Sequence, residues 1–238
     1  MQAKNCFSLY AACLPMLAIA APAMAQSADA DKSEGVYAVA RAGVTVGQDA
    51  KFEAADRTAP ATFPAEVDHK RGFTGELGIG YDLGPVRLEA TGGYSRAGVD
   101  KGGKDNAAAG SVLAGRTKQF DLGVSAYVDF NEDGVIVPYI GGGMGAARVD
   151  SDISALRWTP ASGSRFDDKD WGFRWHLDAG LALKAGARTA IELGARYSRT
   201  SGLEFDGRQV PVAAGGTART YSPDLKNFAV MIGVRQSF

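Results

Sequence analysis

The run KNFAVMIGVRQSF, from Lys226 to Phe238, decides how the rest of the chain is read. Phe228, Val230, Ile232, Val234 and Phe238 share one parity. Asn227, Ala229, Met231, Gly233, Arg235 and Ser237 share the other. A period of two, with one large apolar face and one small or polar face, is the pattern of a β-strand.

The same alternation recurs upstream. Gly35 to Val46 sets Val36, Ala38, Ala40, Ala42, Val44 and Val46 against Tyr37, Arg41 and Thr45. Gly72 to Asp82 sets Phe73, Leu77, Ile79 and Tyr81 against Thr74, Glu76 and Asp82, and Val86 to Ser95 sets Val86, Leu88, Ala90 and Tyr94 against Arg87, Glu89, Thr91 and Ser95. Thr117 to Phe130 carries Phe120, Leu122, Val124, Ala126, Val128 and Phe130 opposite Gln119, Asp121, Ser125, Tyr127 and Asp129. Trp171 to Lys184 alternates most clearly, with Trp171, Phe173, Trp175, Leu177, Ala179, Leu181 and Leu183 opposite Arg174, His176, Asp178 and Lys184. Arg188 to Ser198 sets Ile191, Leu193, Ala195 and Tyr197 against Glu192, Arg196 and Ser198. Val135 to Arg148 is glycine-rich; it reads as a strand whose facing the pattern leaves open.

These are eight strands, joined alternately by short turns (near 83–85, 131–134 and 185–187) and long polar loops (47–71, 96–116, 150–170 and 199–225). Each is long enough to cross a bilayer when tilted, which takes about 9–11 residues. Short connections on one side and long ones on the other mark an outer-membrane barrel whose short side is periplasmic. The expected fold is therefore all-β: an eight-stranded antiparallel transmembrane β-barrel with up-and-down topology and long extracellular loops.

Aromatic residues support that orientation. On the apolar faces Phe73, Tyr94, Phe120, Trp171, Tyr197 and Phe228 stand at the loop ends, and Tyr81, Phe130 and Phe238 at the turn ends. Two such belts are expected at the two headgroup levels. A soluble barrel would place its charges outside, whereas here the charges oppose the large apolar residues. The inward set is Arg41, Glu76, Arg87, Glu89, Asp121, Arg174, His176, Asp178, Glu192, Arg196 and Arg235. Apart from the histidine these are five basic and five acidic groups. Eight strands enclose only enough room for side chains, so ion pairs are expected to fill the lumen.

At the other end of the chain, Lys4, the apolar run Cys6–Ala21 and Ala23-Met24-Ala25 read as a secretory leader. The expected organisation is a signal peptide over 1–25 and a barrel domain over 26–238. Both cysteines, Cys6 and Cys13, fall inside the leader, so disulfides and thiolate metal sites are not expected.

Three motifs suggest other chemistry. His176 and Asp178 share a face that Ser95, Ser125 or Ser198 could approach, but that face is the lumen, away from any lipid substrate. Asp129, Asn131, Asp133 and Gly134 match the start of an EF-hand loop, yet its twelfth position is Ile140, which cannot ligate calcium. Gly141-Gly142-Gly143-Met144-Gly145 lacks the Lys and Ser/Thr of a phosphate loop. No catalytic residues, metal ligands or cofactor are expected.

Tyr127-Val128-Asp129-Phe130 followed by Pro138-Tyr139-Ile140-Gly141-Gly142-Gly143-Met144-Gly145 resembles the opacity-protein group of small outer-membrane barrels, relatives of the membrane domain of outer membrane protein A. The closing strand, ending on Phe238, resembles the one that barrel-assembly machinery reads in such families, although Gln236 departs from their pattern. The resemblance implies a Gram-negative cell-surface protein in the outer membrane with variable exposed loops. No peptidoglycan-binding domain is expected to follow the barrel. Its expected partners are outer-membrane lipid, the assembly machinery and a surface ligand; a nucleic acid is not expected, and a monomer is. A structural or adhesin-like role is the first expectation, with a narrow porin and a lipid-modifying enzyme as alternatives.

Overall fold

In a computed structural model, residues 34–54, 66–68, 71–98, 111–131, 133–157, 163–210 and 219–238 are described. The expected leader lies outside them. Among the described residues ten strands form one sheet: β1 (Gly35–Ala54), β2 (Glu66–Asp68), β3 (Gly72–Asp82), β4 (Val86–Gly98), β5 (Ser111–Asp129), β6 (Ile136–Arg157), β7 (Gly163–Lys184), β8 (Thr189–Ser201), β9 (Phe205–Val210) and β10 (Arg219–Ser237). Strands β1, β3–β8 and β10 pair in that order, all antiparallel, and β1 closes on β10. The expected eight-stranded up-and-down barrel is what forms; β2 and β9 are short additions at its loop end. Closure leaves no barrel edge and pairs the backbone internally, which a hydrocarbon environment demands.

The register fixes how steeply the strands lean. From Val36 it runs through Tyr81, Leu88, Ala126, Gly142, Leu177 and Tyr197 to Phe228. Val36 itself accepts a hydrogen bond from the Phe238 amide at 3.1 Å, so one circuit is offset along β10 from 228 to 238. Such an offset can be taken up only by tilting the strands.

At the turn end the connections are tight. Leu83 donates to the Val86 carbonyl at 2.9 Å, and Gly84, with φ 91°, donates to Asp82 Oδ1 at 3.0 Å. Asn131 adopts φ 61°, and the Gly134 amide donates to its carbonyl at 3.0 Å. The residues that match the start of an EF-hand loop thus include a tight turn closed between Asn131 and Gly134.

The loop end corrects the sequence reading. Residues 47–54 continue β1, and the connection expected over 150–170 is largely the paired ends of β6 and β7, from Asp150↔Lys169 up to Leu156↔Gly163. The loop expected over 199–225 contains β9 and the start of β10. The sequence of these segments lacks the apolar alternation of the lower strands, although the hydrogen-bond ladder continues through them. Between β8 and β9 the ladder breaks at Gly202, with φ 76°. Parity changes there: Ser198 and Thr200 face inward before it, Leu203 and Phe205 after it.

Candidate functional site: the filled lumen

The outer wall is apolar and uncovered. Leu77, Ile79, Val124, Met144, Leu177 and Ile232 are all exposed, as are the aromatic residues Phe73, Tyr81, Tyr94, Phe120, Phe130, Trp171, Phe228 and Phe238. Tyr197 is half-buried because it packs on Trp175, ring centroids 5.6 Å apart. The open facing of β6 resolves as Ile140 and Met144 outward, with Val137, Tyr139, Ala147 and Val149 inward.

The eleven inward residues named from sequence all point into the lumen, where ten are buried and Asp178 is nearly so. Arg41 on β1 gathers carboxylates from three strands: Glu76 at 2.9 Å, Glu89 at 2.7 Å and Glu192 at 2.9 Å. Arg87, with no exposure, binds Asp129 through Nε at 2.7 Å and Nη2 at 2.8 Å, and its Nη1 lies 3.4 Å from Glu192. Arg196 on β8 spans the lumen to Glu76 on β3 and holds its neighbour Asp178 with two donors, at 2.7 and 2.8 Å. Bidentate pairs of this kind meet the requirement that a buried ion keep its hydrogen bonds.

Glycines make the room. Gly141 and Gly143 of β6 face inward, and a Cβ at either would collide with Tyr127 or with Ser125 and His176. Across this bare strip β5 and β7 meet directly. Arg174 donates to Asp121 at 2.6 Å, Tyr127 to Asp178 at 2.8 Å, and Ser125 Oγ lies 3.1 Å from His176 Nε2.

The sequence reading missed several members. Asp82 and Asp129 join the network, Asp129 lying 3.5 Å and Asp82 3.6 Å from Arg235 Nη1. With Glu76, Glu89, Asp121, Asp178 and Glu192 they make seven carboxylates against five arginines, so the described lumen is acid-rich rather than balanced. Both stand at strand ends on the inward parity, which was the available signal. Three tyrosines were also missed. Tyr37 donates to Glu89 at 2.9 Å, and the Arg87 guanidinium lies 5.0 Å above the Tyr127 ring and 5.4 Å above that of Tyr139. Such contacts suit a guanidinium held away from water.

The Ser–His–Asp arrangement does not form a relay. Asp178 approaches the same Nε2 of His176, at 3.8 Å, that faces Ser125, whereas a triad needs the acid on the opposite nitrogen. Asp178 is moreover already engaged by Arg196 and Tyr127.

Above these ion pairs the filling changes. Ala97, Ala147, Val149, Leu203, Phe205 and Leu225 are buried at the loop end, next to Thr117 and Ser151, whose hydroxyls are 3.3 Å apart.

A closed eight-stranded barrel, greasy outside and ionic within, is the build of a small integral outer-membrane protein. The chain belongs to the family described as outer membrane protein beta-barrel domain, whose model matches residues 11–235. It is 27% identical over 205 residues to the outer membrane protein PagN of Salmonella typhimurium, covering 80% of this chain and 82% of PagN. Among solved structures, OprG of Pseudomonas aeruginosa superposes with TM-score 0.53 at 14% identity, covering 86% of this chain and 96% of OprG. The outer membrane protease OmpT of Escherichia coli gives 0.51 at 10% identity, covering 90% and 99%. At these identities the structural likeness is one of fold.

Proposed function

We propose that this outer-membrane barrel is a closed, non-conducting, non-enzymatic scaffold that presents its loop-end strands and connections to a partner at the cell surface. The observation that carries this reading is Arg41, which ties β3, β4 and β8 together across the lumen. A barrel cross-linked through its middle has little room for solute, so its variable business falls to the strand extensions above. Export by the 1–25 leader and assembly as a monomer through the strand ending at Phe238 belong to the same reading.

Planar-bilayer recording tests closure. The unaltered protein should show no steady current, whereas Glu89→Ala with Asp178→Ala should leave Arg41 and Arg196 each short of a carboxylate, admit water and give anion-biased conductance. Large stable steps from the unaltered protein would favour a narrow porin instead. Binding of intact cells to surface ligands, before and after shortening residues 99–110 and 158–162, tests the surface role; unchanged binding would sink it.

A further inference from the structure

The five arginines of the lumen are held at two grades. Arg41, Arg87, Arg174 and Arg196 each reach a carboxylate oxygen at 2.5–2.7 Å. Arg235 does not: Asp129 and Glu192 stand 3.5 Å from it and Asp82 3.6 Å. Its Nη1 is buried and makes no hydrogen bond. Nor do the three acids lack donors without it. Asp129 takes two from Arg87, Glu192 takes Arg41 at 2.9 Å, and Asp82 Oδ1 accepts from the Gly84 amide at 3.0 Å. At such lengths a hydrogen bond is largely lost, whereas Coulomb attraction falls only as the inverse of distance. Arg235 thus contributes charge to the folded lumen and little bonding, although burying a guanidinium is costly.

Its place in the chain says when that charge counts. The β1–β10 pairing joins the two ends of the barrel, and Arg235 lies on it, in register with Val39. The guanidinium stands 5.5 Å from the centroid of the Tyr37 ring on β1. From there it faces Asp82 on β3 and Asp129 on β5 across the seam, and Glu192 of β8 on its own side. To the network of seven carboxylates and five arginines β10 supplies Arg235 alone, so the strands before it carry seven acids against four arginines. Contacts between the ends of a chain are the slowest to form. Until this one forms the interior is open to water, and its excess of acids attracts a cation over a Debye length, about 8–10 Å.

We propose that Arg235 is an electrostatic latch for the β1–β10 seam: the acid-rich interior of the unclosed sheet draws β10 onto β1 through this one charge. The latch acts on the rate of closure, whereas the tight pairs around Arg41 hold the finished barrel. It goes beyond the surface-scaffold reading, since a conducting barrel would close in the same way. It is also a property of the chain itself and needs no assembly machinery.

The test is folding of the full chain from urea into zwitterionic phosphatidylcholine vesicles, followed by tryptophan fluorescence over a range of salt concentrations. The parent should fold more slowly as salt rises. Arg235→Gln should fold about tenfold more slowly at low salt and lose most of that salt response. Arg235→Lys keeps the charge without the planar fork and should stay within about twofold of the parent. Asp82→Asn, which removes one attracting acid, should slow closure about threefold, and Lys226→Gln, an outward charge on the same strand, should fold at the parent rate. Unfolding rates should change little in all of them, as expected when the contact acts in the closing step. Parent-rate folding by Arg235→Gln, or a loss expressed only as faster unfolding, would make Arg235 an ordinary brace and overturn the latch. Equal slowing in Arg235→Lys would assign the effect to guanidinium geometry and overturn it too. If Arg235→Gln never reaches the folded state, the parent and Arg235→Lys decide: a parent that folds without regard to salt refutes the latch.

Discussion

Below the ring formed by Phe73, Tyr94, Phe120 and Phe228 the barrel is apolar outside and ionic inside; above it the arrangement reverses. On β4 Leu88 faces out and Glu89 in, but higher up Arg96 faces out and Ala97 in. On β6 Met144 is outward beside the bare Gly143, whereas Arg148 and Asp150 are outward beside buried Ala147 and Val149. On β8 Leu193 opposes Glu192, and beyond the break exposed Glu204 opposes buried Leu203 and Phe205. The same strands thus serve two solvents. Where lipid surrounds the wall, apolar residues belong outside and the polar ones must satisfy each other. Where water surrounds it, the ordinary rule returns and burial of apolar surface holds the interior.

Substitutions at matched positions should break this contrast in a graded order. Glu192→Ala should cost most, about 3–5 kcal/mol, because it leaves Arg41, Arg87 and Arg235 short of a buried partner. Urea unfolding from lipid vesicles measures it, and a loss below that of a surface substitution would show that the network does not brace the barrel.

Next comes Leu177→Arg, about 2–4 kcal/mol for a charge facing mid-bilayer. Its neighbour His176 faces the lumen, so His176→Arg should be milder despite burial, its charge lying close to Asp178. Equal tolerance at both positions in the same unfolding assay would mean that the facing is wrong.

Smaller still is Val149→Ala, about 1–2 kcal/mol from lost packing in the apolar upper lumen. The same exchange at Val124, which faces lipid, should stay within about 0.5 kcal/mol. If Val124→Ala cost as much as Val149→Ala, the reversal of inside and outside would be lost as an explanation.

The smallest effect is expected for Arg148→Gln, within about 0.5 kcal/mol of the parent, since its side chain is exposed. A marked destabilisation would make it a structural brace.

Much of the lower zone was legible in the chain. Strict alternation in Trp171–Lys184 and Lys226–Phe238 identified both faces, because a lipid boundary forces every outward position to be apolar. The upper zone reads as loops in the sequence, since Arg116, Asp150 and Lys169 carry no apolar period even though the backbone ladder continues through them. The glycines of β6 gave no facing signal, because residues without side chains carry none.

What the sequence by itself determined is the strand number, the outward face and the inward charges, all local consequences of a period of two beside lipid. Which charges meet was decided only by closure. The offset of the register around the barrel brings Arg196 to Glu76 and Arg41 to Glu192. The break at Gly202 then turns Leu203 and Phe205 inward. Such meetings depend on how far strands slide past one another, a quantity that belongs to the whole sheet and to no single strand.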